Sequence, residues 1–370
     1  MSIRLLHVAE TLRGGISSYF HEILADQVRE FGAEKIHLLV PQSHLVDLPP
    51  NLGVEVSTFD DSGSRLTSTA RLYMACLRVG KAWRPTVVHA HSSFAGVSAR
   101  LAFGLKPFQR PAIIYSAHGW AFDREGPNWL NALLGRAERL LAHLSDAIVC
   151  ISTHDAESAQ RQGIAPTKLV TIPNAIADSP PSPTTISWPP GKRRFLFVGR
   201  LDRQKGIDIL LGAMKLLPQD AFAYIVGSEV VSDEKAWQIP DNIVITGWLP
   251  RDQVQAYIQS AEVVVVPSRW EGFGLVALEA MRSSRPVIAS RVGGLKDLVL
   301  DGSSGWLVEP DSVAALAHTM QVAMNSALEP MGQKARQVFL DSYTSPRLNR
   351  DLIGLYKKMQ MSTTAQKSER

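Results

Sequence analysis

The stretch that decides the fold is Pro267-Ser268-Arg269-Trp270-Glu271-Gly272-Phe273-Gly274-Leu275-Val276-Ala277-Leu278-Glu279-Ala280-Met281. It follows residues 263–266, four valines in a row. That run is too short for a buried helix and β-branched throughout, so it reads as a parallel strand buried on both faces. A glycine-bearing turn and then a helical segment come next. Open α/β sheets place their ligands at such strand–turn–helix junctions. Glu271 and Glu279 flank the turn, and Glu279 sits inside the otherwise apolar residues 275–281. A carboxylate there needs hydrogen-bond donors, because an uncompensated buried charge is expensive.

Working outward, the same alternation recurs along the chain. Strands are expected at 3–9, 35–40, 54–59, 86–91, 112–117, 146–151 and 168–172, and again at 194–199, 222–227, 242–246, 262–267, 286–290 and 305–308. Helical stretches at 17–29, 66–83, 94–103, 129–143 and 153–162 fill most of the first series. Alternating strand and helix argues for parallel sheets with helices on both faces. Between the two series, residues 178–191 are rich in proline and small polar residues, which reads as a stiff linker. Leu348, Leu352, Leu355 and Met359 fall at helical spacing, so a last amphipathic helix is expected. The expected division is 1–177, a linker at 178–192, a second domain at 193–345, a helix at 346–361 returning to the first domain, and a flexible tail at 362–370.

At 370 residues the chain has length for about two domains. Hydrophobic content of 45% and charged content of 20% are those of an ordinary globular protein. A net charge of +4 is too small to argue for nucleic acid, though it suits phosphates or an anionic surface. Only Cys76 and Cys150 occur, so no disulfide framework is implied and a reducing compartment is expected. The N-terminus lacks the apolar core of a signal peptide, and no apolar run reaches the roughly 18 residues a membrane-spanning helix needs.

Several short runs carry possible chemistry. Gly199-Arg200-Leu201-Asp202-Arg203-Gln204-Lys205-Gly206 follows the first strand of the second series. Gly199 permits a tight turn, while Arg200 and Lys205 place two cations where a leaving diphosphate would develop charge; the plain alternative is a solvated charged loop. Gly272, Phe273, Gly274 and Leu275 can present backbone N–H groups at a helix start. Glu271 is placed to accept from sugar hydroxyls, and Glu279, a turn further on, from a ribose diol. Glycines in Arg291-Val292-Gly293-Gly294 read as turn residues. His118 ends a strand of the first half, and His89 and His91 end a neighbouring one; two alternating histidines are not a metal site by themselves. No Asp-x-Asp occurs, which argues against a metal-clamped diphosphate. Arg13-Gly14-Gly15 lacks the full dinucleotide and Walker fingerprints. Arg71, Arg78, Lys81, Arg100, Lys106 and Arg110 read as a solvated basic face, or alternatively as a surface that rests on anionic lipid.

Taken with Ser116-Ala117-His118-Gly119, Ile172-Pro173-Asn174-Ala175-Ile176 and the glutamates Glu271 and Glu279, these runs resemble the family-four retaining glycosyltransferases. The resemblance covers nearly the whole chain. It implies the GT-B architecture, two Rossmann-like parallel β/α/β domains facing across a cleft, the second binding a nucleotide sugar. It further implies that Arg200 and Lys205 hold the donor diphosphate, Glu279 the ribose and Glu271 the sugar hydroxyls. Gly199, Gly272, Phe273, Gly274 and Leu275 would add backbone contacts. Gly247 and Trp248 would flank the base, His118 would meet the transferred sugar, and Gly15 would lie near the diphosphate and the acceptor. The implied donor is a nucleoside diphosphate sugar, expected to be a UDP-sugar, and the implied reaction retains anomeric configuration without metal or cofactor. The closest look is of bacterial exopolysaccharide, capsule and lipopolysaccharide enzymes, with a lipid-linked acceptor and a cytoplasmic, peripheral inner-membrane location. Nucleic acid is not an expected partner, and the oligomeric state stays open. Two rivals share the architecture: a nucleotide-sugar 2-epimerase, which would act on donor without acceptor, and a non-catalytic nucleotide-sugar-binding subunit.

Overall fold

A computed structural model describes residues 2–105, 110–228 and 238–368 of the chain. The chain divides into two compact units, Met1–Ala177 with Ser345–Arg370, and Asp178–Thr344. The first unit carries β1 (Leu5–Ala9), α1 (Gly15–Phe31), β2 (Ile36–Pro41), β3 (Glu55–Phe59), α2 (Arg65–Trp83) and β4 (Val87–His91). It continues with α3 (Ser93–Gly104), β5 (Ala112–Ser116), α4 (Asn128–Ala142), β6 (Ala147–Cys150), α5 (Thr153–Arg161) and β7 (Leu169–Thr171). The second unit begins with β8 (Arg193–Val198), α6 (Ile207–Leu216), β9 (Ala221–Val226), β10 (Ile243–Gly247), α7 (Arg251–Ser260) and β11 (Val263–Val266). Then come α8 (Leu275–Arg282), β12 (Val287–Ser290), α9 (Leu295–Leu298), β13 (Gly305–Val308), α10 (Val313–Met324) and α11 (Leu328–Ser342). The last helix, α12 (Ser345–Ser368), belongs to the first unit.

Both sheets are parallel throughout and share one winding. The first runs β3-β2-β1-β4-β5-β6-β7 and the second β10-β9-β8-β11-β12-β13. In each, the order reverses direction between the first strand and the fourth, so β1/β4 and β8/β11 flank the switch points. Loops leaving the carboxyl ends of those strands are where a doubly wound sheet receives its ligand. In the second unit those loops are residues 199–206 and 267–274.

Strand periodicity sorts the first core into two layers. Leu6, Val8, Val88, Ala90, Ile113 and Tyr115 face one side of the sheet. Leu5, Ala9, Val87 and Ile114 face the other, beneath Phe20 and Ile23 of α1 and Leu348, Leu352 and Tyr356 of α12. On that second face, the positions that alternation reserves for apolar residues include His7, His89 and His91, all fully buried. In the second unit Phe195, Phe197, Val263, Val265 and Ile288 pack against Ile207, Leu210 and Met320.

Several expectations need correction. Arg100 is no surface cation: it is fully buried, its Nη1 donates to Glu138 Oε2 at 2.8 Å, and its guanidinium lies 4.0 Å from the Tyr115 ring centroid. Arg110 is half-buried and bonded to Asp146 at 2.9 Å, and Lys106 lies outside the described residues. The proline-rich run forms no regular element, yet it is tied down rather than free. Ser182 N donates to Gln259 Oε1 at 2.9 Å, and Trp188 Nε1 to Ser260 Oγ at 3.0 Å. Helix α12 continues to Ser368 where a flexible tail was expected. No glycine or proline follows Met359 to break it, and the Ser362 and Thr363 hydroxyls bond carbonyls one turn back. No described helix is long and apolar enough to cross a membrane.

Candidate active site

In the second unit, the loops after β8 and β11 are bonded to one another. Lys205 Nζ lies 2.6 Å from Glu271 Oε2, and Ser268 Oγ donates to the same oxygen at 3.3 Å. Asp202 Oδ1 accepts from Lys205 N at 2.9 Å, which fixes where the lysine leaves the backbone. Arg200 is more exposed, pairing with Asp202 at 3.0 Å and Gln204 Oε1 at 2.7 Å. Gly206 closes the loop as the residue before α6 with φ 67°, and a Cβ there would stand 2.0 Å from Pro267 O. Only glycine tolerates both demands.

The pairing was not foreseen. The resemblance assigns Lys205 to the donor diphosphate and Glu271 to its sugar, and the fold also pairs the two with each other.

Sequence reasoning also missed how this junction is held. Arg269 donates twice to Asp208, at 2.8 and 2.7 Å, while its Nε reaches Asp311 at 2.8 Å and its Nη1 reaches Arg203 O at 2.8 Å. Burial works to raise the Asp208 carboxyl, but the Arg269 hydrogen bonds and charge outweigh it and lower the pKa. Bidentate arginine–carboxylate pairs are geometrically specific, so Arg269 fixes the approach to Glu271. Gly293 and Gly294 support the turn from behind. With φ 48° at Gly293, a Cβ would fall 1.7 Å from Glu271 O, and one on Gly294 would fall 2.7 Å from Gly272 O. These glycines are therefore more than turn residues.

Gly274 precedes α8 with φ 102° and, as a glycine, offers no side chain to cap the N–H groups of the first turn. Phe273 is buried, whereas Gly272 and Leu275 are half-buried. Glu279 lies in the second turn of α8 and is half-buried rather than buried as its apolar neighbours suggested. Gly199 donates its N–H to Val226 O at 3.0 Å, and Gly227 bonds Gly247 O at 2.9 Å, so the ends of β8, β9 and β10 form one edge. Trp248 follows Gly247 and is 61% exposed, a ring free to stack on a planar group.

The first unit holds the other two candidates. Gly15 opens α1 after Gly14, whose φ is 64°, with no side-chain cap and no acidic residue in the first turn. His118 follows β5 in the left-handed region at φ 55°, a setting that costs a non-glycine residue backbone strain. Burial pushes its imidazole down to about 4. Its ring meets Tyr19 edge-on, with centroids 4.8 Å apart. His7, His89 and His91 bring their ring nitrogens within 4.8 Å of one another. Every one of those nitrogens, however, is bonded to a protein partner: Gln27, Tyr356, Ser116, His118 or another ring of the group. The group is a hydrogen-bonded cluster rather than a converging ligand set.

A cavity of about 370 Å³ also opens at the carboxyl end of the first sheet, lined among others by Glu10, Thr11, His44, Asp61, Arg65 and Phe94. Burial raises the Glu10 carboxyl against the backbone N–H groups of Phe94 and Ala95 that lower it. None of these residues was marked from sequence.

Comparisons with known proteins match both halves. The family described as Glycosyltransferase Family 4 matches residues 13–179, and that described as Glycosyl transferases group 1 matches residues 182–338. An uncharacterized 41.2 kDa protein in the cps region of Klebsiella pneumoniae is 29% identical, covering 83% of this chain and 86% of its own. A UDP-Gal:alpha-D-GlcNAc-diphosphoundecaprenol alpha-1,3-galactosyltransferase of Escherichia coli is 25% identical over 70% of this chain and 71% of its own. Among solved structures, Anabaena HepE in complex with UDP and glucose superposes with a TM-score of 0.78 at 17% identity, over 96% of this chain and all of that one. Two matched family models spanning nearly the whole chain, on a pair of parallel α/β sheets of the GT-B kind, make this chain a member of the family-four glycosyltransferases.

Proposed function

We propose that the protein moves a sugar, with retention of configuration and without a metal, from a UDP-sugar to a hydroxyl of a lipid-linked glycan in bacterial surface-polysaccharide synthesis. The observation that carries this reading is the junction in the second unit. Two cations, Arg200 and Lys205, share a loop at the switch point, and the uncapped start of α8 and the Glu271 carboxylate belong to the neighbouring loop. Charge grows on the diphosphate as its bond to the sugar breaks, and fixed donors aimed at that charge supply most of the rate enhancement. The leaving phosphate itself takes the acceptor's proton, so no enzymic nucleophile is needed. The Anabaena structure is a complex with UDP and glucose, and the Escherichia coli relative's name gives a UDP-sugar and a diphosphoundecaprenol acceptor. Both support the uridine donor by likeness, and the Escherichia coli relative also supports the lipid-linked acceptor.

A thermal-shift panel of UDP, GDP, ADP and their sugars tests the donor. At a hundredfold excess over Kd, ligand binding adds about 2.7 kcal/mol. The expected result is a rise on the order of 5 °C with UDP and its sugars. No shift with any nucleotide would overturn the reading, and conversion of donor in the absence of acceptor would favour the epimerase instead.

For the acceptor side, the cavity at Glu10, His44, Asp61 and Arg65 offers hydrogen-bonding groups beside the Phe94 ring, a lining suited to a sugar. Helix α4 favours contact with lipid. It exposes Trp129, Leu133 and Leu140 at 70%, 54% and 71%, with Arg136 and Arg139 also exposed on the helix. A tryptophan and leucines beside arginines suit an anionic bilayer surface. Flotation with phosphatidylglycerol-containing vesicles should carry the protein up, and the triple change Trp129→Ser, Leu133→Ser, Leu140→Ser should abolish most of that binding without altering nucleotide affinity. Equal flotation of the variant would remove α4 from the proposal.

A further inference from the structure

A row of hydrogen-bonded side chains crosses the first unit from α1 to the end of β5. Gln27 Oε1 lies 2.8 Å from His7 Nε2, His7 Nδ1 lies 2.9 Å from His91 Nε2, and His91 Nδ1 lies 3.0 Å from His118 Nε2. Gln27, His7 and His91 are fully buried, so no water competes for these bonds. The His91 ring stacks between the other two, with centroids 5.2 Å from His7 and 5.3 Å from His118.

A neutral imidazole has one nitrogen that donates and one that accepts. Fixing the role of any nitrogen in this row therefore fixes all of them. The amide oxygen of Gln27 can only accept, so His7 carries its hydrogen on Nε2 and accepts at Nδ1. His91 must then donate from Nε2 and accept at Nδ1, and His118 must donate from Nε2. That leaves His118 Nδ1 as an unprotonated acceptor, and it makes no hydrogen bond among the described residues.

The direction follows the Gln27 amide, whose Oε1 faces His7 and whose Nε2 faces a branch that begins at the Tyr356 hydroxyl. Gln27 Nε2 donates to Tyr356 Oη at 3.5 Å, Tyr356 Oη lies 2.7 Å from His89 Nδ1, and His89 Nε2 lies 2.8 Å from Ser116 Oγ. Turned over, the amide would donate to His7 and reverse all three rings, leaving an N–H at His118 instead. Because Gln27 cannot take up a proton, the row conducts none; it transmits only orientation. Burial pushes the His7 and His118 imidazoles down to about 4 and lowers His91 well below its ordinary value, so the row stays neutral near pH 7.

We propose that Gln27, His7 and His91 are positioning residues that lock His118 in its Nε2–H tautomer, so that His118 Nδ1 accepts a hydrogen bond from a hydroxyl of the transferred sugar. The identity of that ligand rests on the glycosyl-transfer reading, whereas the tautomer does not. The left-handed backbone at His118 and the edge of Tyr19 fix the ring's tilt, and the row fixes the one remaining freedom, which nitrogen carries the hydrogen.

Long-range proton–nitrogen spectra of the full chain, labelled at histidine nitrogens, test this directly, with the His118 signals assigned through His118→Gln. Wild type should show His118 with hydrogen on Nε2 and a bare Nδ1. Gln27→Leu should give a mixture of tautomers at His118, a turnover lower by roughly tenfold with donor KM unchanged, and Gln27→Glu, which restores an acceptor oxygen, should recover both. A merely structural role for Gln27 would lower stability without moving the tautomer. Hydrogen on Nδ1 in wild type, or an unchanged tautomer in Gln27→Leu, overturns the proposal. If Gln27→Leu does not fold, the wild-type and Gln27→Glu spectra decide. Absence of sugar transfer with every donor, alongside the expected spectra, would overturn the glycosyl-transfer reading alone and leave the tautomer assignment standing.

Discussion

Lys205→Ala is expected to lower turnover by roughly 10²–10³, the loss typical of removing one electrostatic donor from a site where charge develops. The structure adds a second cause. Lys205 Nζ is 2.6 Å from Glu271 Oε2, and both side chains are largely covered, at 22% and 13% exposure. Removing the lysine leaves the Glu271 carboxylate with Ser268 as its remaining hydrogen-bond partner on this oxygen. An unpaired anion beside a diphosphate repels it, so donor affinity should fall along with turnover. Glu271→Gln removes that repulsion while keeping an acceptor for sugar hydroxyls. The double variant Lys205→Ala, Glu271→Gln should therefore bind UDP more tightly than Lys205→Ala alone, a coupling that a double-mutant cycle measures. Arg200→Ala should lose less affinity, because Arg200 is more exposed and its departure frees Asp202 to solvent. Steady-state kinetics at saturating donor provide the check. Turnover near wild type in both Lys205→Ala and Arg200→Ala would remove these cations from the chemistry.

What the sequence could show about this site follows from the range of the interactions. Strands such as residues 263–266 are legible because a parallel strand covered on both faces must be apolar at every position. The loops after β8 and β11 were legible because the chain needs glycine there: Gly206 faces Pro267 O and Gly274 has φ 102°. Contacts between elements left no such trace. Arg269 meets Asp208 and Asp311 across separations of 61 and 42 residues, and only the strand order brings those loops together. Gly293 reads in sequence as any turn glycine, because the Glu271 carbonyl that a Cβ would strike comes from another loop. Arg100 reads in sequence as a surface cation because its partner, Glu138, lies 38 residues away on α4. The histidine row did leave a readable mark. His7, His89 and His91 fall at alternate positions of strands that are otherwise apolar on that face, and a polar residue in such a place needs a partner. His89 and His91 stand out as an alternating pair at a strand end, whereas His7 is a single histidine near the chain terminus.

The buried histidines of the row and its side branch are expected to make the first unit acid-labile. His7 is lowered from 6.5 to about 4 by burial, against the Gln27 hydrogen bond that raises it, and burial lowers His89 and His91 well below 6.5. Unfolding returns each ring to its ordinary pKa. Between pH 6.5 and about 4 the unfolded chain thus binds protons that the folded chain does not, and stability must rise with pH across that window. The contribution is fully present above pH 6.5 and is lost as pH falls. One pH unit is worth about 1.4 kcal/mol per ring, so at pH 5 His7 alone withdraws about 2 kcal/mol, and His89 and His91 act in the same direction. That is a large part of the 5–15 kcal/mol that holds a typical domain together. Carboxylates with lowered pKa values, Asp60, Asp208 and Asp301 among them, add their own loss only below their ordinary value near 3.8. Glu10, whose carboxyl is raised, works weakly the other way. The window from pH 6.5 to 4 therefore belongs mainly to the histidines. Pulse proteolysis in increasing urea, following fragments of residues 1–177, should show the midpoint dropping sharply from pH 7.5 to pH 5. His7→Gln, which cannot gain a proton, should flatten that dependence by about one proton's worth. The second unit holds none of these rings, so its midpoint should move much less. An equal drop in both units, or none in the first, would mean that the buried row is already charged or already open to water.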